Sequence, residues 1–266
     1  MVNIKIGTAG WDYKDWIGPF YPKNLERSLH LSYYSKIFDL VEINSTFYNI
    51  PTEVMVHNWL NRVSEDFRFI VKVWQEITHK LTQPDSTSKI DEFFLKLTPL
   101  KEKIVGFLLQ FPPWFNYSEG HLNKLTHLLE LIPYDYTYFI ELRNNSWFND
   151  KILHEFIDGE RKILVTTYIP GVASFYYNTQ KIYYIRLIGD RELSVFNQIQ
   201  RGQRESLDDL KNNVQILKNS PNIREIFIIV NNHFQGFAPE SASMLKKDWG
   251  LEYHQFDTQK RLTDFL

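Results

Sequence analysis

Eight short apolar runs, each ended by polar or turn-forming residues, recur along the chain and leave it very few folds. They span Ile4–Gly7, Leu40–Asn44, Phe69–Val73, Ile104–Gln110, Tyr138–Leu142, Ile163–Thr167, Tyr183–Leu187 and Ile226–Asn231. Most are rich in Ile, Val, Phe and Tyr, which suit strands buried on both faces of a parallel sheet. Amphipathic stretches separate most of the runs. Ser28 is placed to cap one helix, with Leu29, Tyr33, Tyr34 and Ile37 on one side, and Thr52 the next, through Val56 and Leu60. Further helices are predicted over Ser86–Leu97, Ser118–Leu131, Asn149–Ile157, Ser206–Leu217 and Pro239–Lys247. Pro239 falls in a first turn, where a missing N–H costs nothing. Tyr168–Lys181 has no convincing helical pattern and reads as a long loop over the barrel mouth or a short turn. Alternating strands and helices imply a parallel sheet. Eight such units in 266 residues favour a single closed (β/α)8 barrel of the TIM type, one domain over residues 1–266 with no linker or internal repeat.

Composition narrows the chemistry. The chain has no cysteine, so disulfides, Cys-ligated zinc, iron–sulfur clusters and thiolate nucleophiles are excluded. No G-x-G-x-x-G or P-loop pattern occurs. The formal net charge of −2 argues against broad gripping of a nucleic-acid backbone, although a short single strand stacked on aromatic residues stays open. Met1–Ile6 reads as a strand rather than a signal peptide, and no apolar run is long enough to span a bilayer. The expectation is a cytoplasmic protein with no membrane partner. Its oligomeric state is not readable.

In a barrel of this kind the strand C-termini and the loops after them carry the site. Those ends hold Gly7-Thr8-Ala9-Gly10-Trp11, then Glu42, Asn44 and Tyr48, then Lys72 with His79 beyond it. Later ends hold Gln110, Glu141 and Arg143 with Trp147 following, Arg186, and Asn231-Asn232-His233. Side chains alternate faces along a strand, so Glu42 shares a face with Asn44, and Glu141 with Arg143. Charged residues inside apolar strands are costly unless paired. Glu42, Lys72, Glu141, Arg143 and Arg186 are therefore expected to converge in one mildly electropositive pocket.

Several chemistries fit such a set. Glu42 and Glu141 could act as acid and base, as in glycoside hydrolysis. With His79 and His233 they could hold a divalent metal, but no tight ligand motif is present. Lys72, Arg143 and Arg186 could bind phosphate or carboxylate, with Gly189 letting backbone approach. Trp11, Trp16, Tyr48, Trp114 and Trp147 could stack on a sugar or base, or simply pack their loops. The blander alternative is a structural salt-bridge network closing the top of the barrel.

Together these segments resemble the YecE-like family, a bacterial and archaeal family built on a domain of unknown function. The resemblance lies in Gly7-Thr8-Ala9-Gly10-Trp11, in Trp16 with Phe20-Tyr21-Pro22, and in Val41-Glu42-Ile43-Asn44-Ser45-Thr46-Phe47-Tyr48 followed by Pro51. It continues through Phe69 to Lys72, Ile77-Thr78-His79, Gln110-Phe111-Pro112-Pro113 and Glu141-Leu142-Arg143 with Ser146-Trp147. It closes with Asn231-Asn232-His233, Gly236 and Ala238-Pro239. These motifs run in family order from about residue 4 to residue 247. The resemblance implies a TIM-type barrel and brings no reaction with it. Two positions depart from the family pattern: Thr166-Thr167 stand where members usually place an Asp, and Ile188 stands near a frequent His.

The expected function is an enzyme that acts on a polar, anionic small molecule, a phosphorylated sugar or nucleotide derivative among the candidates. Glu42, Glu141 and Lys72 are the candidate catalytic residues. Asn44, Tyr48, His79, Gln110, Arg143, Trp147, Arg186, Asn231, Asn232 and Trp11 are the candidate substrate contacts. No metal or cofactor is called for. The rival expectation is a barrel that binds a ligand or a single-stranded nucleic-acid end without chemistry.

Overall fold

Strands rich in β-branched and aromatic residues pair in chain order and close on themselves, with the last against the first. The computed structural model describes residues 2–79, 86–254 and 256. The strands are β1 (Asn3–Ala9), β2 (Leu40–Ile43), β3 (Arg68–Lys72), β4 (Ile104–Gln110), β5 (Tyr138–Glu141), β6 (Lys162–Tyr168), β7 (Ile182–Leu187) and β8 (Glu225–Val230). Every pairing is parallel, and β8 pairs with β1 from Asn3↔Glu225 to Thr8↔Val230. The chain is a (β/α)8 barrel, as its apolar runs predict.

The helices are α1 (His30–Tyr34), α2 (Glu53–Asn61), α3 (Gln75–His79), α4 (Ser86–Leu97), α5 (Glu119–Leu131), α6 (Asp150–Leu153), α7 (Arg204–Lys218), α8 (Asn232–Gln235) and α9 (Ala238–Asp248). Thr52 caps α2 by accepting from Met55 N at 3.3 Å, and Ser118 caps α5 by accepting from His121 N at 3.2 Å. Pro239 sits in the first turn of α9. Ser28 caps nothing. It lies in a 3-10 turn, Arg27–Leu29, and α1 starts only at His30, with Leu31 and Tyr34 buried. The predicted helix over Asn149–Ile157 shrinks to α6, still capped by Asn149. Between β6 and β7 there is no helix, in keeping with the absence of an amphipathic pattern.

Two apolar layers follow from strand parity. One face of each strand packs outward under the helices. The other fills the barrel, where Leu40, Ile70, Leu108, Phe139, Val165, Tyr184, Phe227 and Ile229 form one cluster with Ala9. Gly106 makes room in it: a Cβ there would lie 2.4 Å from the Phe139 ring. The next inward position on β2, β3, β4, β5, β6 and β7 is Glu42, Lys72, Gln110, Glu141, Thr167 and Arg186 respectively. A polar layer thus lies directly on an apolar plug, at the C-terminal ends of the strands.

Candidate functional site

Arg186 is the hub of that layer. Its guanidinium donates through Nη2 to Glu42 Oε1 at 2.7 Å and through Nε to Glu42 Oε2 at 2.8 Å, while Nη1 bonds Glu141 Oε2. Arg143 Nε donates to Glu141 Oε1 at 2.5 Å. The Tyr184 hydroxyl, one inward position below Arg186, donates to Glu42 Oε2. Glu42 and Glu141 are wholly buried, Arg186 nearly so. Burial alone would favour the neutral form of every group here. For Glu141, burial raises the pKa, but Arg143, Arg186 and Lys72 outweigh it and hold the carboxyl at about 2. Arg186 is likewise disfavoured by burial, yet Glu141 and Glu42 push its pKa well above the usual value. Tyr184 rises because it is buried and beside Glu42.

Each carboxylate oxygen of the pair already accepts a hydrogen bond, and one guanidinium lies between the two. That leaves no room for a glycosidic bond between them. Glu141 has no proton to give near neutrality. The geometry casts Glu42 and Glu141 as counter-ions of Arg186 rather than as an acid and its base.

Lys72 differs from its neighbours. It ends β3 and is only 7% exposed. Its ammonium donates to the neutral Gln110 Oε1 at 2.9 Å and lies 3.9 Å from the centre of the Phe47 ring. Gln110 is fixed by its own Nε2, which donates to Phe111 O at 2.9 Å. Among the described residues no carboxylate lies within ion-pair distance of Lys72. Burial and the positive Arg186 outweigh Glu141 and Glu42, and the pKa falls to about 7. His79, expected in a loop, instead closes α3, with its ring 5.3 Å from Phe47 and its Nδ1 2.8 Å from Thr78 Oγ1. Burial, then Lys72 and Arg143, lower its pKa too. Thr167 presents a buried hydroxyl without a partner among the described residues. Ile188 is buried.

The remaining predicted contacts scatter. Asn44 leaves the strand: its backbone is helical and it opens the 3-10 turn Ser45–Phe47, so the face it was expected to share with Glu42 is lost. With Trp11 it lines a cavity of about 520 Å³ at the same end of the barrel, together with Tyr13, Asn58 and Trp59. Tyr48 is 64% exposed on the rim, against Phe47. Trp147 does not reach the mouth. It is wholly buried, stacked on Phe115 with centroids 5.4 Å apart, and its indole N–H donates to Phe115 O at 2.6 Å. Trp16 is equally buried, and its N–H donates to Asn232 Oδ1 at 3.1 Å. That oxygen also accepts from Ala238 N at 3.0 Å, so Asn232, at the start of α8, ties Trp16 to α9. Asn231 caps α8 by accepting from His233 N at 3.1 Å. Gly189 is needed for its own turn, with φ +77° and a Cβ position 2.3 Å from His233 O.

Tyr184, Phe47 and Tyr13 were not foreseen at the site. Tyr184 had a usable signal, since it lies two residues before Arg186 and so shares its face. Phe47 and Tyr13 had none, because loop aromatics look alike in sequence. No three His, Asp or Glu side chains are placed to hold a metal ion among the described residues.

Comparison with known proteins shows the family and the fold. The family described as "Protein of unknown function DUF72" matches residues 5–264. The chain is 26% identical to UPF0759 protein YunF of Bacillus subtilis, across 94% of this chain and 96% of that one. It is 29% identical to UPF0759 protein YecE of Escherichia coli, over 54% of this chain and only 50% of YecE. Among solved structures, a DUF72 family protein of Thermotoga maritima superposes with a TM-score of 0.74 at 26% identity, covering 93% of this chain and 99% of the other. One from Enterococcus faecalis also gives 0.74, at 24% identity over 95% and 99%, and shows the shared fold. The chain belongs to the DUF72 family.

Proposed function

We propose that the chain is an enzyme acting on a polar, anionic small molecule, a sugar or nucleotide derivative in class, by proton transfer at the C-terminal face of the barrel. One observation carries the reading. Lys72 is the group in the polar layer whose pKa falls to about 7, and it is held without a carboxylate partner among the described residues. An amine with a pKa of about 7 can take a proton and return it at physiological pH. Arg143 supplies the anion contact: its Nε is committed to Glu141, and its outer nitrogens have no hydrogen bond to other described residues. Arg186, saturated by two carboxylates, holds the layer together instead of binding ligand. The cavity lined by Trp11, Asn44 and Trp59 lies at the same end of the barrel and also carries Asp12, Arg27 and Arg62.

The setting that fits is cytoplasmic. No helix among the described residues is long and apolar enough to cross a membrane, and phosphorylated metabolites are plentiful in that compartment. A single-stranded nucleic-acid end is the less favoured ligand.

Thermal shift with inorganic phosphate and a sugar-phosphate library, followed by an activity screen of the hits, tests the reading. Stabilisation that is lost in Arg143→Gln, with turnover lost in Lys72→Met, is expected. A library that leaves the melting temperature unmoved would favour the second reading, a non-catalytic barrel closed by a structural ion network. What speaks for that rival is the complete engagement of Glu42 and Glu141.

A further inference from the structure

A buried lysine in a protein ordinarily finds a carboxylate. Two carboxylates lie in the same layer as Lys72, and both are taken by arginines. What Lys72 does have is a neutral amide oxygen on one side and an aromatic face on the other. The amide oxygen accepts from a neutral amine as well as from an ammonium, and the ring face holds a cation whether it is an ammonium or one carried on a bulkier group. The nitrogen sits at a strand end, on an apolar plug that keeps bulk water from below. His79, half-buried, stands against the same Phe47 ring and feels the charge of Lys72.

We propose that Lys72 is an amine nucleophile that forms an imine with the carbonyl carbon of an anionic aldehyde or ketone whose charged group Arg143 receives. This deepens the small-anion reading above and rests on it. In the step, the Lys72 ammonium first gives one proton to His79; the freed Nζ lone pair then forms a bond to the carbonyl carbon and the C=O π pair passes to oxygen. A proton moves from nitrogen to that oxygen, giving a carbinolamine. A second proton, delivered by His79, lets the oxygen leave as water as the nitrogen lone pair closes the C=N bond. Overall, an ammonium and a carbonyl become an iminium and water, and nothing is oxidised or reduced. The Phe47 face that holds the ammonium then holds the iminium.

The test uses two probes of similar shape and charge, dihydroxyacetone phosphate and its carbonyl-free counterpart glycerol 3-phosphate. The full chain is incubated at neutral pH with dihydroxyacetone phosphate and cyanoborohydride, which reduces an imine to a stable amine, and is then mapped by peptide mass spectrometry. Lys72 should be modified at least about tenfold faster than any surface lysine, since far more of it is unprotonated. Lys72→Arg should lose that adduct while keeping its thermal stabilisation by glycerol 3-phosphate. If glycerol 3-phosphate stabilises the wild type but Lys72 stays unmodified, or is modified no faster than surface lysines, the imine is wrong and the anion reading stands. If neither probe stabilises the protein and Lys72 is not modified, both fall.

Discussion

Arg186 grips both oxygens of Glu42 in a two-pronged contact, at 2.7 and 2.8 Å, although 144 positions separate the two residues in the chain. The contact crosses the barrel from β7 to β2, and the third nitrogen of the same guanidinium reaches Glu141 on β5. Three strands that are not neighbours are thus tied at one level above the apolar plug. A buried pair of this kind need not be worth more than well-packed apolar residues, but removing one member leaves charges stranded.

Arg186→Ala should therefore cost about 3–5 kcal/mol, because both Glu42 and Glu141 would remain buried without it. Tyr184→Phe, which removes one hydrogen bond to Glu42, should cost only about 1–2 kcal/mol. Urea unfolding of the two variants beside the wild type checks the ratio. Equal and small losses would mean that water already reaches the layer.

Glu141 makes the acid limb of stability steep. Its carboxyl sits at about 2 in the fold against an ordinary 4.5. The unfolded chain takes up the proton first, so the stabilisation is complete above pH 4.5 and is lost as the pH falls from there to about 2. The amount is about 3 kcal/mol. Unfolding free energy measured across that window should fall for the wild type and stay flatter for Glu141→Gln, which starts lower.

Trp147 and Tyr48 were both expected to touch substrate, and the structure separates them. Trp147→Ala should cost about 3–5 kcal/mol through the lost stack on Phe115 and leave no change in ligand affinity if the truncated protein is measured below its melting temperature. Tyr48→Ala, on an exposed rim residue, should leave stability within about 0.5 kcal/mol. Calorimetric unfolding with and without glycerol 3-phosphate distinguishes the two.

The contrast explains which parts were legible beforehand. Glu42, Lys72, Glu141 and Arg186 stood out because a charge inside an apolar strand needs a partner, and parity then put them on one face. That reasoning weakens one residue beyond a strand: Asn44 was assigned to the Glu42 face, but its backbone turns helical at that point. Aromatics carry even less. Trp147 and Trp11 look the same in sequence, and only packing reveals that one is wholly buried while the other lines a cavity. Roles were the least legible. Whether a glutamate is an acid or a counter-ion depends on how many donors reach it, and for Glu42 those come from Arg186 and Tyr184, far away in the chain.

Lys72 should burden the fold when charged. Its pKa of about 7 lies below the ordinary 10.5, so between those values the unfolded state holds more protons than the folded one. Stability should rise with pH across that window, by up to about 5 kcal/mol. Lys72→Met should remove that slope and be the more stable form below pH 7. Denaturant midpoints of both proteins at several pH values through the window give the answer directly.

The proposed function stands most heavily on the titration of that one amine, which Arg186, Glu141, Glu42 and Arg143 influence electrostatically and which shares the Phe47 ring with His79. Protein labelled with 13C-lysine, with the Lys72 Cε signal assigned by its disappearance in Lys72→Arg, allows its titration to be followed by NMR. A midpoint near pH 7, well separated from the other lysines, is expected. A midpoint close to 10.5, among the surface lysines, would contradict a role for Lys72 as a neutral amine in catalysis.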